Sequence, residues 1–216
     1  MECFPATLFV VDDDSSARNS IAALATATGT QSELYASGEE FLDRHIPGRP
    51  GCVISDLRLP GIDGLQLHER VSRSGEPLPV ILVSAFLTVP IAVRAMQQGV
   101  FSVLEKPYQS DELLQVIHRA MEADRRARAE QFRTAEYRNR IATLDPRERR
   151  TAELITSGTP NKIIARDLGV SQRTVDRIRA TVLEKMGVQS AVELVRIVSC
   201  LPQKTAPRVE LQTAQA

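Results

Sequence analysis

The sequence predicts two domains, a doubly wound parallel α/β sandwich of five strands followed by a small all-α unit of four helices. Short apolar segments alternate with segments of helical periodicity in the first half of the chain. Closely spaced helix-start and helix-stop signals follow in the second half. A length of 216 residues suits two domains that each bury a core of their own.

The charge of the chain is divided between its two halves. Residues 1–124 contain 9 Lys and Arg against 17 Asp and Glu, a net charge of −8, whereas residues 125–216 contain 18 against 10, a net charge of +8. A basic domain favours a nucleic-acid partner. No apolar run approaches the roughly 20 residues of a membrane span, and the three cysteines fit neither a disulfide framework nor a zinc site, so we expect a cytoplasmic protein without membrane contact.

Five apolar segments rich in Val, Ile and Leu are predicted to form the sheet of the first domain. Continuous apolar strands of this kind belong in a parallel sheet that helices cover on both faces. Ser37 and Glu40 form a capping-box pattern at the start of one intervening helix. The predicted strands cover residues 7–11, 31–35, 52–55, 80–84 and 102–105.

One long helical segment is predicted to connect the domains. From Asp111 to about Thr143 the chain contains neither Gly nor Pro and is rich in Arg, Ala and Glu. Apolar positions become sparse after Met121, which favours a solvated helix over a strong coiled coil. We therefore predict a first domain at 1–122, a helical linker at 123–143, a second domain at 144–200 and a disordered tail at 201–216.

Capping signals define the four helices of the second domain. Asp145, Ser171 and Ser190 stand at N-cap positions, and Gly169 is placed to turn the chain between the second and third helices. The helices are predicted to begin after Asp145 and run to about 156, and then to cover 161–168, a segment from Ser171 to 186, and 191–199.

Polar side chains are predicted at the carboxyl ends of the strands, where ligands bind in open parallel sheets. Asp12 and Asp13 follow the first strand and Asp56 ends the third. Like charges gathered in one crevice raise one another's pKa unless a cation holds them. Mg²⁺ prefers a few carboxylates together with water and phosphate oxygens, so Asp13 and Asp56 are candidate direct ligands with Asp12 in support.

The same crevice contains the groups that phosphoryl transfer to a carboxylate requires. Asp56 is the candidate nucleophile, and Lys106 is the candidate cation for the transferring oxygens. A cis peptide before Pro107 would direct the lysine into the crevice. Ser84 ends the neighbouring strand with a hydroxyl that can donate to a phosphate oxygen.

Four motifs, VVDDD, ISDLRLPGIDG, LVSA and LEKP, resemble in this order the receiver domains of two-component response regulators. The resemblance covers roughly residues 6–122 and implies a flavodoxin-like fold. It implies that a sensor histidine kinase phosphorylates Asp56, that Ser84 reports the phosphate, and that the domain catalyses only its own phosphotransfer and dephosphorylation. It also implies a Mg²⁺ site formed by Asp12, Asp13, Asp56 and the backbone carbonyl of Arg58.

Two features depart from the receiver pattern. The aromatic residue that receivers usually carry three positions before the lysine is here Val103, with Phe101 two residues earlier, so the usual aromatic relay does not transfer directly. Phe86 and Leu87 make the segment after the fourth strand unusually apolar, which is explained either by packing or by an altered dimer face.

Two alternative functions stay open for the first domain. A phosphatase of the haloacid dehalogenase type also uses a strand-ending aspartate as its nucleophile, and it would use Asp12 and Asp14. Turnover of small phosphate esters distinguishes it from a receiver. The second alternative keeps the fold but makes the domain a dimerisation module that does not respond to phosphate.

The second domain, and above all the segment PNKIIARDLGVSQRTV, resembles the LuxR-type helix-turn-helix of the FixJ/NarL family. The resemblance implies that the helix after Ser171 enters the major groove of double-stranded promoter DNA. Residues near helix starts are expected to contact phosphates, and outward-facing residues of this helix to contact bases, with Arg177 the best candidate base reader. The candidate DNA contacts are Asn161, Lys162, Ser171, Arg173, Thr174, Asp176, Arg177, Arg179, Ala180 and Lys185.

The two resemblances together imply a switch. Phosphorylation is expected to favour a homodimer whose two helix-turn-helix units contact half-sites about one DNA turn apart. RNA polymerase is a further candidate partner.

Overall fold

The structure is a computed structural model that describes residues 4–200, with side chains described as far as Val198. Within this range it contains one five-stranded sheet and nine helices. The chain divides into two compact units after Ala129, which lies inside the predicted linker. The predicted tail at 201–216 lies outside the described residues. None of the helices described is long and apolar enough to cross a membrane.

The first unit contains a parallel sheet with the strand order β2-β1-β3-β4-β5. This confirms the predicted doubly wound fold. The third strand extends one residue beyond its prediction at each end, because Gly51 pairs with Thr7 and Asp56 pairs with Val83. The strands are β1 (Thr7–Val11), β2 (Gln31–Tyr35), β3 (Gly51–Asp56), β4 (Val80–Ser84) and β5 (Ser102–Glu105).

Five helices cover the two faces of the sheet. Phe41, Leu67 and Ala95 of the second, third and fourth helices are buried against one face. Ile21 and Ile117 of the first and fifth helices are buried against the other. The helices are α1 (Ser15–Ala27), α2 (Gly38–Arg44), α3 (Gly64–Arg73), α4 (Val89–Gln97) and α5 (Ser110–Ala142).

Helix α2 has half of the predicted capping box. Ser37 caps it by accepting a hydrogen bond from the backbone N–H of Glu40 at 3.1 Å. The Glu40 carboxylate, however, accepts from the N–H of Ala36 and not from that of Ser37. The helix therefore begins at the predicted place with a slightly different set of bonds.

Helix α5 is 33 residues long and continues through the division between the units. Its buried side chains recur every three or four residues from Leu113 to Asp124, and the residues beyond are exposed or half-buried. This pattern gives the helix one core-facing stripe in the first unit and a solvated course afterwards.

The second unit contains four helices around a small apolar core. The capping box between Asp145 and Glu148 is complete, with both bonds 2.8 Å long. Gly169 adopts a φ of 65° at the turn between the second and third of these helices, a conformation that favours glycine. The helices are α6 (Pro146–Thr156), α7 (Asn161–Leu168), α8 (Gln172–Met186) and α9 (Ala191–Cys200).

Candidate functional site

Two carboxylates and one ammonium group meet at the carboxyl edge of the sheet. Lys106 Nζ lies 2.7 Å from Asp12 Oδ2 and 2.6 Å from Asp56 Oδ2. Asp12 follows β1 and is buried, whereas Asp56 ends the adjacent β3 and keeps 15% of its side chain exposed. The lysine therefore offsets the repulsion between two carboxylates while leaving one of them accessible.

The lysine is charged at neutral pH. Burial lowers the pKa of Lys106, but hydrogen bonds from its ammonium to Asp12 and Asp56 outweigh burial, so the pKa lies above its usual value of 10.5. Its backbone N–H donates to the carbonyl of Ser84 at 2.8 Å, and the peptide bond before Pro107 is cis.

Each carboxylate of the pair uses its second oxygen to order its own loop. Asp56 Oδ1 accepts from the backbone N–H of Arg58 at 2.8 Å, and Asp12 Oδ1 accepts from that of Asp14 at 2.9 Å. The N–H of Leu57 donates to the carbonyl of Val83. The turn after β3 is thus held against β4, and Arg58 is the residue of this turn whose N–H binds Asp56.

The other two aspartates after β1 differ from Asp12. Asp14 caps α1 by accepting from the N–H of Ser16 at 2.8 Å. Asp13 is exposed and has no hydrogen-bond partner among the residues that the structure describes. Within the same residues, no three acidic, His or Cys side chains form a ready-made metal site. The Mg²⁺ ligands therefore stay a prediction.

Ser84 is buried at the end of β4, next to the lysine loop. Its Oγ accepts a hydrogen bond from the backbone N–H of Phe86 at 3.2 Å. Because this bond uses a lone pair of the oxygen, the hydroxyl proton stays available for another acceptor.

Sequence reasoning missed Arg18, and it named Arg58 only for its backbone carbonyl and not for its side chain. Arg18 of α1 donates from Nη1 to the carbonyl of Asp12. The guanidinium of Arg58 lies 4.4 Å from the centre of the exposed Phe86 ring. Arg58 and Phe86 each stand two residues after the end of neighbouring strands, a spacing that predicts their proximity in a parallel sheet.

Val103 and Phe101 pack on opposite faces of the sheet. Val103 is half-buried against the cluster that contains helices α2 to α4, whereas Phe101 packs against the cluster of α1 and α5. Phe101 therefore does not occupy the place of an aromatic residue at 103.

Helix α4 has an apolar outer face. Val89, Val93 and Met96 are exposed by 78%, 48% and 50%, at spacings that place them along one side of the helix. Such a row of exposed apolar side chains is a feature of interaction surfaces.

The second unit presents a basic surface on α7 and α8. Ser171 caps α8 by accepting from the N–H of Thr174 at 3.2 Å, and the two hydroxyl oxygens lie 2.9 Å apart. Most of the candidate contact residues are exposed; Asn161, Thr174 and Arg179 are half-buried. The exposed candidates are Lys162, Ser171, Arg173, Asp176, Arg177, Ala180 and Lys185.

Besides Ser171 and Thr174, three candidates already have side-chain partners inside the domain. Asn161 Nδ2 donates to Asp176 Oδ1 at 2.7 Å. Lys185 Nζ lies 2.7 and 2.6 Å from the two carboxylate oxygens of Glu148, which is buried. Among the described residues, Arg177 forms no ion pair.

Comparisons with known families agree with the two-unit architecture. Residues 8–118 match the family described as "Response regulator receiver domain", and residues 142–198 match "Bacterial regulatory proteins, luxR family". The transcriptional regulatory protein FixJ of Bradyrhizobium diazoefficiens is 37% identical over 191 residues, which cover 88% of this chain and 93% of that protein. The transcriptional regulatory protein TdiR of Thauera aromatica is 33% identical over 192 residues, or 89% and 85% of the two chains.

Solved structures of full-length regulators are also similar. The response regulator StyR superposes with a TM-score of 0.79 at 30% identity and covers 90% of this chain and 98% of its own. Full-length FixJ from B. japonicum has a TM-score of 0.56 at 36% identity, covering 92% and 98%. The chain belongs to the two-component response regulators, with a receiver domain and a LuxR-type DNA-binding domain, and is a transcriptional regulator.

Proposed function

We propose that Asp56 accepts a phosphoryl group from a phosphohistidine of a sensor histidine kinase. The observation that carries this proposal is the position of Lys106, whose ammonium contacts both Asp56 and the buried Asp12. Asp56 is the more accessible carboxylate of the pair, and its neighbours place one positive charge where phosphoryl oxygens would gather.

The transfer forms one bond and breaks another. A carboxylate oxygen of Asp56 bonds to phosphorus as the phosphorus–nitrogen bond to the kinase imidazole breaks, and the imidazole leaves after taking up a proton. Lys106 then binds a phosphoryl oxygen, and the hydroxyl of Ser84 donates a hydrogen bond to another. Hydrolysis of the acyl phosphate by water releases inorganic phosphate and returns the carboxylate. The proposed chemistry of the domain is therefore limited to its own phosphotransfer and dephosphorylation.

The acidic crevice fits Mg²⁺, which the receiver family typically binds there. All the proposed donors are oxygens, and the exposed Asp13 has no competing partner among the described residues, as suits a hard ion that takes few protein ligands. Asp12, Asp13, Asp56 and the carbonyl of Arg58 would hold the ion. When bound, it neutralises charge on the phosphoryl oxygens.

The phosphorylated chain is proposed to pair as a homodimer through the apolar face of α4. This side of α4 exposes Val89, Val93 and Met96. The helix packs on the same side of the sheet as Val103. Pairing brings two helix-turn-helix units to half-sites about one DNA turn apart in a promoter. We place this activity in the cytoplasm, with RNA polymerase as a candidate further partner.

In each protomer of the dimer, α8 is proposed to enter the major groove. The exposed Arg177 and Arg173 are proposed to contact bases, whereas Lys162 and the hydroxyls near the helix starts are proposed to contact phosphates. The +8 charge of residues 125–216 supports a large electrostatic share of the affinity.

Labelling with acetyl phosphate tests the phosphoacceptor. We expect up to one phosphoryl group per chain in the presence of Mg²⁺, and none in Asp56→Asn. A phosphatase would instead turn over small phosphate esters repeatedly and lose that activity in Asp12→Asn. Turnover of this kind, with labelling intact in Asp56→Asn, would contradict the proposal.

Beryllofluoride with Mg²⁺ tests the switch. We expect the mass measured by sedimentation to double and the affinity for a selected DNA site to rise. An unchanged mass together with unchanged DNA affinity would assign the receiver to the class of phosphate-independent modules.

A further inference from the structure

The single acidic residue among the candidate DNA contacts is hydrogen-bonded inside the domain. Asp176 stands on the exposed side of α8, and its Oδ1 accepts from Nδ2 of Asn161 at 2.7 Å. Asn161 is the first residue of α7, and the two residues are 15 positions apart in sequence. The bond therefore connects the start of one helix with the second turn of the next.

An unbonded carboxylate would be unfavourable on a surface that faces DNA phosphates, because like charges repel. Among the ion pairs of the described residues, none joins Asp176 to the neighbouring Arg173 or Arg177. The carboxylate is thus not oriented as an arginine partner, and one of its two oxygens is already bonded to Asn161. Its charge instead strengthens one hydrogen bond to an amide.

Within the described residues, the start of α7 has no capping side chain. Its N-cap is Pro160, which makes no side-chain capping bond. In the first turn the N–H of Ile163 donates to the carbonyl of Pro160, which leaves the N–H groups of Asn161 and Lys162 for phosphates. The apolar contacts of Ile164 and Val175 hold the helices together at the core, and Gly169 forms the turn. Among the described residues, the bond between Asn161 and Asp176 is the side-chain hydrogen bond that joins the start of α7 to α8.

We propose that Asp176 is a positioning residue that acts through Asn161 and reads no base itself. The pair holds the phosphate-binding start of α7 at a constant distance from the base-reading side chains of α8. Such a register matters because phosphate contacts determine where a recognition helix lies in the groove. This inference rests on the proposed use of α8 in DNA recognition.

A double-mutant cycle tests the pair. The DNA site is first selected from a random pool with phosphorylated wild-type protein, and the affinity for that site is then compared with the affinity for random DNA of equal length. Asn161→Ala and Asp176→Ala are each expected to lower this ratio about threefold to tenfold. The double variant is expected to lower it no further than a single one, because each substitution removes the same bond.

The conservative variant Asp176→Asn separates the bond from the charge. Asparagine keeps an oxygen that accepts from Asn161, so the affinity ratio is expected to stay within about twofold of wild type. Asp167→Ala is the matched control, since it also removes one negative charge from the exposed surface of the domain but breaks an ion pair with Arg150. It is expected to leave the ratio unchanged.

Three results would overturn the inference: additive losses in the cycle, a loss in Asp176→Asn as large as in Asp176→Ala, or a new preferred base in sites selected with Asp176→Ala. All variants are compared at a temperature at which circular dichroism shows full helix content. A wild-type protein that did not distinguish the selected site from random DNA would contradict the proposed function itself.

Discussion

Three consecutive aspartates follow β1, and their surroundings differ. Asp12 is buried against Lys106, Asp14 caps α1, and Asp13 is exposed without a hydrogen-bond partner in the described part of the chain. Side chains of one residue type thus serve different purposes within three positions. The difference is accessible to experiment because each role has its own measurable consequence.

Asp13→Asn is expected to abolish stabilisation of the receiver by Mg²⁺. In the absence of Mg²⁺ the variant should be at least as stable as wild type, because Asp13 makes no hydrogen bond to any described residue and lies between Asp12 and Asp14 in sequence. Thermal unfolding with and without Mg²⁺ measures both effects, since a ligand of the folded state raises the midpoint.

Asp14→Ala is the control for this prediction. It removes the cap of α1 and is expected to cost about 1 kcal/mol, while the shift of the midpoint with Mg²⁺ is kept. Equal Mg²⁺ responses in Asp13→Asn and wild type would exclude Asp13 from the ligands.

At the scale of elements, an ion pair attaches α5 to the start of the central strand β3, at the end of the sheet opposite the acidic crevice. Asp124 is 1% exposed and accepts from the N–H of Gly51 at the start of β3. Arg128 donates from Nε to both oxygens of Asp124, and its other nitrogens donate to the carbonyls of Gly48 and Arg49. The helix is thereby held to the receiver almost as far as Ala129, where the first unit ends.

Arg128→Ala is expected to destabilise the receiver by about 2 kcal/mol at pH 7, because it leaves a buried carboxylate without its cation. Urea unfolding measures the change. Arg125→Ala, one turn away, breaks an exposed pair with Glu122 and serves as the control, with an expected change near zero. Equal losses in the two variants would show that burial of Asp124 has no energetic consequence.

The loss in Arg128→Ala is expected to depend on pH. Burial raises the pKa of Asp124 above its ordinary value of 3.8, more than bonds to Arg128 and Gly51 lower it. A carboxyl group with a raised folded-state pKa contributes stability that is fully present below the unfolded-state pKa and is lost as pH rises through the folded-state pKa. Without Arg128 the pKa rises further, so the deficit relative to wild type should shrink from pH 7 towards pH 4.

Lys185 connects α8 with the capping box of α6. Because its ammonium contacts both oxygens of the buried Glu148, Lys185→Gln is expected to destabilise the DNA-binding domain by about 1–2 kcal/mol. The salt dependence of DNA binding should change little, in contrast to Lys162→Ala, which removes a proposed phosphate contact. Unfolding of the domain and a salt titration of DNA affinity measure the two effects. A smaller salt slope with unchanged stability in Lys185→Gln would indicate that Lys185 contacts DNA phosphates.

At the scale of the whole molecule, the proposed switch uses the apolar face of α4, which lies far from α8 in sequence. Val93→Asp places a charge in the middle of the exposed apolar face of α4 and is expected to prevent the beryllofluoride-induced dimer while labelling of Asp56 continues. Ile46→Asp, at another exposed apolar position of the first unit, is the control and should dimerise normally. Analytical ultracentrifugation measures both. Normal dimerisation of Val93→Asp would exclude the α4 face.

Prediction from sequence succeeded where a local signal was sufficient. Strand positions follow from apolar runs between turn signals, to within one residue at each end of β3. The start of α6 follows from Pro146 and from the capping box of Asp145 and Glu148, whose bonds lie within one turn. The capping of α2 deviated because the carboxylate of Glu40 accepts from the N–H of Ala36, one residue before the N-cap, and sequence spacing alone does not choose between these neighbouring donors.

The sequence by itself determined the two-domain architecture, the acidic crevice with Asp12, Asp56 and Lys106, and the basic helix after Ser171. Periodicity, capping and strand-end position are local properties, so one chain reveals them. Only the tertiary structure decided that Lys185 binds Glu148, that Asp176 binds Asn161, and that Asp124 binds Arg128 and Gly51. Those choices join residues on different elements, and they depend on packing distances and on the cost of leaving a charge unpaired, which no sequence interval encodes.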